Sequence, residues 1–565
     1  MSMAVMMAAD LDRKIARVVE NKEKWARLPV GRKRQLLLDL RRRTGAVAER
    51  WARAGIEAKG IGGHPGFAQE EWLGGPWAVL KLINGLIETL DYLEKGKPRP
   101  VEKVRTRAGE QVVTEVFPLS AYDRVIFSGM RGEVWMQPGV TRENLADTMA
   151  VFYKQKEPPG KVALVLGAGN VSFLPVADVL HKLYTEGQVT LLKMSPVNDY
   201  VGVYFEEAFA GFREKGFVEF AYGGADVGAY LANHPGVDEI HITGGAATHD
   251  AVVFGSGPEG AERKRARTPI NTRRVTSELG CVTPTIVVPG PWTAKDLRYQ
   301  AENLVSQKVT NAGATCLASQ VLVVSEGWDK TPALLDAIRG VYREVPRRPA
   351  YYPGSVQRYA SVMSTYPQAE LLDPDEPVAG DRHPRVLITG LDPDAPNEAC
   401  FREELFTSVL TETRLPGGTP AEFLRNAVRF ANDKLVGTLS ANLIIHPQTM
   451  KDLGPDFEQA IADLRYGAIG VNVWAVYVCL LPAFTWGAFP GHEPHDIQSG
   501  VGVVHNIFMF DKAQKSVIYG PFSSFPKPPF VTHRNGYELG RTMTALEATP
   551  GALKLPPVIM AALKG

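Results

Sequence analysis

The sequence predicts an α/β fold made of two doubly wound parallel-sheet domains. With 565 residues, the chain is too long for one simple core. From residue 160 the apolar run 162–166 opens an alternation of strands and helices, and such runs are typical of strands buried on both faces of a parallel sheet. A second alternating block begins near residue 282. We therefore expect two α/β domains that divide near residue 275.

The elements follow from local patterns along the chain. Residues 10–60 carry apolar side chains at helical spacing, until the glycine-rich stretch 60–65 ends the pattern. A further helix is expected near 77–93, followed by strands at 112–116 and 133–137. In the alternating blocks, strands are predicted at 162–166, 189–192, 218–220, 239–242, 285–288 and 321–324, with a helix at 295–308 before the last of them.

Composition excludes several classes of protein. The balance of 63 basic and 62 acidic residues gives a net charge of +1, which argues against a nucleic-acid or anionic-membrane binder. Four cysteines without a Cys-x-x-Cys pair argue against zinc, redox and disulfide frameworks and indicate a reducing cytosol. We assign no metal and expect a cytoplasmic protein.

No segment predicts a signal peptide or a membrane span. The first residues lack a basic region and a long apolar stretch. The longest uncharged stretch, 466–491, is interrupted by glycines and Pro482. Because a span needs ~20 mostly apolar residues, this stretch indicates buried strands and loops.

Glu278 and Cys316 carry most of the chemical information. A thiol is a nucleophile that can attack a carbonyl group, and a carboxylate can later deprotonate the water that releases the acyl group. The sequences around them, 275–281 and 310–320, resemble the aldehyde dehydrogenase superfamily. The resemblance spans most of residues 10–505 and implies an aldehyde substrate, NAD or NADP as cofactor, and a homodimer or homotetramer.

The resemblance also implies a division of the chain. An aldehyde dehydrogenase-like NAD(P)-binding domain would comprise 1–115 and 160–275, a catalytic domain 276–475, bridging and oligomerisation elements 116–159 and 490–525, and a C-terminal tail 526–565. The segment 246–275 is longer than in the family and is expected to be a solvated loop insertion.

The turn after the first buried strand departs from the ordinary dinucleotide fingerprint. Ser172 replaces the third glycine, and Lys193 stands where the ribose-binding acid is expected. The resemblance implies that Asn170 holds the oxyanion and that Lys193, with Ser195, contacts the adenosine ribose. Pro196 replaces the family's glutamate, so we expect relaxed choice between NAD and NADP. The plainer interpretations are a turn asparagine and a solvated lysine.

Two further segments resemble cofactor contacts. Glycine-rich turns at 223–228 and 242–245 would present helix N-termini to the pyrophosphate, and 403–406 would hold the nicotinamide riboside. The residues concerned are Gly224, Gly228, Thr243, Gly244, Gly245, Leu279, Glu404 and Phe406. Simple turn glycines and a solvated acidic pair are the alternatives.

A tunnel for an apolar aldehyde is predicted from the uncharged segment 474–486, which aligns with the family's substrate loop. The expected lining is Phe173, Thr315, Leu317, Trp474, Tyr477, Phe484 and Trp486. Such a lining favours medium or long aliphatic, or aromatic, aldehydes. The alternative is that these side chains form core or subunit interface.

Two other functions remain open. A coenzyme A-dependent relative would replace water with a thiol, and the presence of Glu278 weighs against it. A binding or scaffold protein without catalysis is disfavoured because Asn170, Lys193, Glu278, Cys316 and Glu404 are all retained.

Overall fold

The computed structural model describes residues 3–372, 382 and 385–565, with the side chains of residues 3–5 left out. The helices are α1 (Met3–Ala26), α2 (Val30–Ala58), α3 (Pro65–Trp72), α4 (Ala78–Glu94), α5 (Ala121–Ile126), α6 (Leu174–Leu180), α7 (Gly202–Ala208), α8 (Ala210–Glu214), α9 (Ala225–Asn233), α10 (Ala246–Val253), α11 (Gly257–Ala266), α12 (Ala294–Val309), α13 (Thr331–Glu344), α14 (Ser355–Thr365), α15 (Ala399–Arg402), α16 (Pro420–Lys434), α17 (Pro447–Leu453), α18 (Pro455–Asp463), α19 (Val476–Leu480), α20 (Gly536–Ala548) and α21 (Leu555–Leu563).

The strands are β1 (Lys103–Thr106), β2 (Val112–Phe117), β3 (Arg131–Met136), β4 (Val162–Leu166), β5 (Val189–Lys193), β6 (Val218–Ala221), β7 (Glu239–Gly244), β8 (Arg274–Leu279), β9 (Thr283–Val287), β10 (Ser319–Ser325), β11 (Glu370–Leu371), β12 (Val386–Leu391), β13 (Val409–Leu415), β14 (Ser440–Ile444), β15 (Ala468–Val471), β16 (Thr485–Gly487), β17 (Gly500–Val501), β18 (Val503–His505) and β19 (Ala513–Tyr519). The predicted α/β fold with parallel sheets is confirmed.

The first sheet has the order β17-β8-β7-β4-β5-β6 in the described part of the chain. All of its pairings are parallel except that of the edge strand β17, which runs antiparallel to β8. The strands β4 and β5 are buried along their whole length, as continuous apolar runs require in a sheet covered on both faces. Helix α1 packs beneath β5 and β6, and α6 packs against β4.

The second sheet has the order β1-β2-β3-β19-β15-β14-β9-β10-β13-β12-β11 among the described residues. Its parallel part runs from β19 to β12, while β1, β2, β3 and β11 add antiparallel pairs at the two ends. The segments expected to bridge subunits supply β3 and β19, and these two strands pair with each other within this chain. The proposed division into functional domains stays a prediction.

The segment 246–275 differs from the loop that was expected, because it contains the helices α10 and α11. Helix α11 has Pro258 as its second residue and Arg and Lys in its last turn, a distribution that favours a helix. Two ion pairs, Arg263 to Glu259 at 3.0 Å and Lys264 to Asp250 at 2.7 Å, link its turns and tie it to α10.

The ends of the chain pack together. Helix α20 lies against α3, α2 and α4, and α21 packs on α20. The C-terminal segment is therefore part of the folded body and lies beside the N-terminal helices. Among the described residues, no helix combines the length and the apolar character that crossing a membrane requires.

Candidate active site

Glu278 lies on β8, next to the edge of the first sheet. Its register partner on β17 is Gly500, which has a φ of +112°. A Cβ atom at this glycine would lie 2.0 Å from the main-chain oxygen of Ser277, so only glycine allows β17 to approach so closely. The predicted base is therefore fixed by a strand from a distant part of the sequence.

The loop that carries Cys316 begins where α12 ends. It makes a left-handed turn, with φ values of +55° at Asn311, +57° at Ala312 and +75° at Gly313. Glycine is required at the last position, since a Cβ atom there would lie 2.2 Å from the main-chain oxygen of Thr407. Alanine in this conformation costs about 1 kcal/mol or more, so the turn persists because its surroundings hold it.

Asn170 is tied to the same loop. Its main-chain oxygen accepts hydrogen bonds from Lys59 Nζ, Asn311 Nδ2 and the Tyr351 hydroxyl, each at 3.0 Å. Its side-chain Nδ2 donates to the oxygen of Ala314 at 3.1 Å. The structure thus brings the predicted oxyanion donor and the nucleophile loop together through a dense polar cluster.

Lys59, Glu71 and Tyr351 were not found by sequence reasoning. Lys59 is 4% exposed and pairs with Glu71 at 2.7 Å, while also donating to Asn311 Oδ1 at 3.0 Å. Tyr351 donates to the same Asn311 oxygen at 2.9 Å. Tyr351 lies far in the sequence from Lys59 and Glu71, which are 12 positions apart, and the three belong to no recognisable motif, so only the fold reveals their meeting point.

The thiol and the carboxyl group affect each other's pKa. Burial, and then the charge of Asp178, raise the pKa of Glu278 to about 7. Burial, and then the charge of Glu278, raise the pKa of the Cys316 thiol well above its usual value. The Oε2 atom of Glu278 is buried without a hydrogen-bond partner in the described part of the chain. The site therefore holds a carboxyl group that titrates near neutral pH beside a protonated thiol.

Cys281 is chemically different from Cys316. Its sulfur atom lies 3.2 Å from the Thr283 hydroxyl oxygen, and the residue as a whole is 4% exposed. Burial raises the pKa of Cys281 to about 11. This second thiol is therefore held as a neutral, packed side chain.

A buried polar cluster lies behind Glu278. Asp178 on α6 accepts a hydrogen bond from Thr243 Oγ1 at 2.7 Å, and His241 Nε2 lies 3.5 Å from the same carboxylate. Burial raises the pKa of Asp178, but the charge and hydrogen bond of His241, with smaller contributions from His505 and Thr243, together lower it. The side chain of Thr243, predicted to contact the cofactor, is thus directed to Asp178.

Lys193 and Ser195 lie at the end of β5, beside the turn that carries Asn170. A Cβ atom at Gly169 would lie 2.4 Å from Ser195 Oγ, so the two turns are in close contact. Burial lowers the pKa of Lys193, while the charges of Asp226 and Asp199 oppose that shift. The lysine therefore shares its surroundings with two carboxylates that the sequence did not reveal.

Two helix N-termini are open toward the outside of the first sheet. Gly224 caps α9 and Gly245 caps α10, and neither cap has a side-chain hydrogen bond. At Gly228, Gly244 and Gly245 an added Cβ atom would meet no atom within 4 Å. Main-chain N–H groups at such helix ends favour an anion, so this edge fits a phosphate group.

Glu404 lies close to Glu278 on the other side of the site. A Cβ atom at Gly280 would lie 2.1 Å from Glu404 Oε2, and Oε1 is enclosed without a partner among the described residues. Burial, and then the charge of Glu278, raise the pKa of Glu404 to about 8. A buried carboxylate oxygen without a donor fits a ligand that brings hydroxyl groups.

The loop around Glu404 is fixed by Gln320. The amide of Gln320 donates to the oxygens of Cys400 and Glu403, each at 2.8 Å, and accepts from the nitrogen of Leu405 at 2.8 Å. Phe406 follows with a φ of +50° and packs its ring 4.8 Å from that of Tyr352.

Leu279, the neighbour of Glu278, is held from the other side. It is 1% exposed, and its nitrogen donates to the oxygen of Ser499 at 2.9 Å. Its side chain is therefore part of the core beneath the site.

A cavity of about 370 Å³ reaches Cys316. The cavity is lined by five of the residues that were predicted for the tunnel: Phe173, Thr315, Leu317, Trp474 and Tyr477. Phe484 and Trp486 do not line it, and this part of the prediction is wrong. Both are fully buried: Phe484 packs against Phe117, with 6.1 Å between ring centroids, and Trp486 lies beside the Glu278 carboxyl group.

Most of the rest of the cavity lining comes from segments to which the sequence assigned no part in the substrate tunnel. It includes Trp77 and Phe127 from the N-terminal region, and Phe530, Leu539, Met543, Val558 and Ala562 from the C-terminal segment. The apolar side chains of α20 and α21 can be recognised in the sequence, but they do not indicate which cavity the two helices border.

Comparisons with known proteins agree with this arrangement. A sequence model of the aldehyde dehydrogenase family matches residues 129–354. An aldehyde dehydrogenase of Enchytraeus buchholzi is 28% identical over 184 residues, or 32% of this chain. The match spans about a third (34%) of that relative's length.

Two solved structures show the same fold. Aldehyde dehydrogenase C of Pseudomonas syringae, a mutant complexed with NAD+ and octanal, has a TM-score of 0.61 and 16% identity, covering 91% of this chain and 89% of that one. The NADP-dependent glyceraldehyde-3-phosphate dehydrogenase of Bacillus halodurans, complexed with NADP, has a TM-score of 0.59 and 17% identity, covering 90% and 91%.

Proposed function

Because this chain belongs to the aldehyde dehydrogenase superfamily, we propose that it oxidises an apolar aldehyde to the carboxylic acid with NAD or NADP. One observation carries the proposal: Cys316 lines a mainly apolar cavity of about 370 Å³ while Glu278 and Asn170 flank its loop. A nucleophile thus borders a substrate-sized space, and a base and an oxyanion donor contact the loop that carries it.

The residues present fit a nicotinamide dinucleotide. The helix ends at Gly224 and Gly245 would hold the pyrophosphate, Lys193 with Ser195 the adenosine ribose, and Glu404 the second ribose. Phe406 and Leu279 would border the nicotinamide. When bound, the cofactor supplies the acceptor for a hydride.

The protein's part begins with Cys316. The carboxylate of Glu278 would first take the proton of the Cys316 thiol, and would release it before it acts on water. The thiolate would attack the aldehyde carbon, and the resulting oxyanion would take a hydrogen bond from the Asn170 amide. That amide has two N–H groups, of which one donates to Ala314. Loss of such a donor typically costs about 3 kcal/mol, or a hundredfold in rate. After hydride loss, a thioester remains on Cys316.

Glu278 would then activate the water that hydrolyses this thioester. A pKa of about 7 suits a general base at neutral pH, because a substantial fraction is ionised and can still take a proton. The buried position of Glu278 keeps it away from competing solvent.

The cavity supports an apolar substrate. The lining residues that were predicted from the sequence are aromatic or aliphatic apart from Thr315. Each buried methylene contributes about 0.8 kcal/mol to binding. We propose medium or long-chain aliphatic, or aromatic, aldehydes. We also propose a homodimer or homotetramer, which light scattering of the purified protein would measure.

The test is an absorbance assay for NADH and NADPH with a panel of aldehydes, run with and without coenzyme A. Turnover to the free acid without coenzyme A is the expected result. A strict requirement for coenzyme A would identify the acylating alternative instead. If the protein binds cofactor but oxidises no aldehyde of the panel with either cofactor, the non-catalytic alternative is favoured.

A further inference from the structure

The segment 521–562 contributes one whole wall of the cavity at Cys316. Along its length it supplies the lining residues Pro521, Ser524, Phe525, Pro526, Lys527, Pro528, Pro529, Phe530, Leu539, Met543, Val558, Ile559 and Ala562. Two of its elements, α20 and α21, pack on each other. Trp474 and Tyr477 of the predicted tunnel line the same cavity.

The first part of this segment is tied to α12, the helix that leads into the Cys316 loop. Lys527 Nζ lies 2.9 Å from Glu302 Oε2, and Thr532 Oγ1 donates to the same oxygen at 3.1 Å. Ser306 Oγ accepts from the nitrogen of Val531 at 3.0 Å, and Gln300 donates to the oxygen of Phe522 at 2.6 Å. These contacts fix the wall relative to the nucleophile.

The outer end of the cavity is marked by apolar residues in contact with solvent. Phe525 is 84% exposed, Val125 47% and Ile559 38%, and all three line the cavity. Deeper in, Leu539, Met543 and Val558 are buried. The wall therefore runs from solvent toward the thiol and is apolar for most of its length.

We propose that the segment 521–562 forms the outer half of the aldehyde tunnel and sets the length of alkyl chain that the enzyme accepts. The inference rests on the proposed aldehyde oxidation and deepens it by naming the substrate as a straight-chain aliphatic aldehyde whose tail lies against α20 and α21. Each methylene that reaches this wall improves kcat/KM by about fourfold, until the tail passes the rim at Ile559.

Ala562 allows a sharp test because it is small, lies on α21 and lines the cavity. Ala562→Phe fills the outer half. We expect it to lose at least tenfold more kcat/KM for dodecanal than for butanal. The matched control is Met560→Phe, on the same helix but outside the lining and 54% exposed. We expect this variant to keep the dodecanal-to-butanal ratio of kcat/KM that the unmodified protein has.

A second variant and a second measurement keep the test decisive. Ile559→Trp, at the partly exposed rim, is readily accommodated by the fold and should shorten the accepted chain in the same direction. If both variants keep the dodecanal-to-butanal ratio of kcat/KM of the unmodified protein, whether or not the absolute activities fall, the proposal is overturned.

Binding of dodecanol, measured by calorimetry, separates this proposal from the proposed function. We expect Ala562→Phe to weaken dodecanol at least tenfold and Met560→Phe to leave it as it was. If no aldehyde is oxidised but this pattern holds, the wall is supported and the proposed reaction is not. If aldehydes are oxidised and dodecanol binds all variants equally, the wall is refuted and the reaction stands.

Discussion

Lys59 donates from its ammonium group to the main-chain oxygen of Asn170 over 3.0 Å. The same ammonium group binds Glu71 and Asn311, so one buried charge links the turn that carries the predicted oxyanion donor to the loop that carries Cys316. Tyr351 strengthens the link, since its hydroxyl group donates to Asn170 and Asn311. The position of two reacting groups thus depends on side chains that take no part in the proposed reaction.

Tyr351→Phe should lower kcat about fivefold with little change in KM. It removes one of the donors that hold the Asn170 oxygen, at a net cost of about 1 kcal/mol, while the remaining donors keep the turn folded. The measurement is steady-state kinetics beside thermal unfolding. Tyr342→Phe is the control, because that hydroxyl is buried without a partner in the described part of the chain. A rise in KM alone would show that Tyr351 does not position Asn170.

Cys316→Ala should abolish aldehyde oxidation and leave cofactor binding within a few-fold of the unmodified protein. The nucleophile is lost, while the proposed cofactor contacts at the first sheet are untouched. Activity and fluorescence titration with NADH measure the two effects. Cys281→Ala is the control, since that thiol does not line the cavity and packs 3.2 Å from the Thr283 hydroxyl. Retained turnover in Cys316→Ala would assign the nucleophile to another residue.

Glu278→Gln should slow release of the acid more than formation of the thioester. The amide keeps the shape but takes no proton, so we expect a burst of about one NAD(P)H per site and then a slow phase. In the unmodified protein, the deacylation rate should rise through pH about 7 as Glu278 ionises. Stopped-flow absorbance from pH 6 to 9 measures both. Loss of the burst together with the steady rate would move Glu278 to another role.

The same substitution should stabilise the protein at high pH. The pKa of Glu278 is about 7 in the folded chain and near 4.3 when unfolded, so the folded state binds the extra proton between these values. Stability is therefore lost as pH rises through that window. Glu278→Gln should exceed the unmodified protein by on the order of 3 kcal/mol at pH 8 and match it at pH 4.

Denaturant unfolding at pH 4 and pH 8 checks the sign of this effect. Glu403→Gln is the control, because Glu403 is exposed and solvent already stabilises its carboxylate. A variant that is less stable than the unmodified protein at pH 8 would show that Glu278 is held by favourable contacts in its charged form.

Asp226→Asn should shift the cofactor preference toward NADP several-fold. The unmodified protein is expected to accept both cofactors within tenfold, because Pro196 removes one carboxylate from the ribose region. The charge of Asp226 nevertheless acts on Lys193 and would repel a 2′-phosphate. The ratio of kcat/KM for the two cofactors is the measurement. Glu214→Gln, on the distant helix α8, serves as the control, and an equal shift there would remove the local explanation.

The parts of the fold that follow from local patterns were predictable. The strand at 162–166 is apolar throughout and the one at 189–192 is apolar except for Thr190, as burial on both faces favours. Glu278 and Cys316 were found because their flanking residues resemble a known family. Helix α11 was taken for a loop, since a helix that is polar all round leaves no hydrophobic period to read.

Contacts between distant segments were not predictable. The cluster of Lys59, Glu71 and Tyr351 joins three parts of the chain and has no sequence signature. Phe484 was assigned to the tunnel because aromatic side chains in an uncharged loop suit a tunnel and a core equally. Which of the two they enter depends on side-chain direction, which the fold decides.

The pairing of β17 with β8 has a consequence for synthesis. Ser499 Oγ binds the oxygen of Gly280 across 219 positions of sequence, and β19, further on, lies between β3 and β15. Contacts of such separation form slowly. A nascent chain released from the ribosome before residue 500 would contain Asn170, Glu278, Cys316 and Glu404, yet the strand that bears its base would still be an open edge.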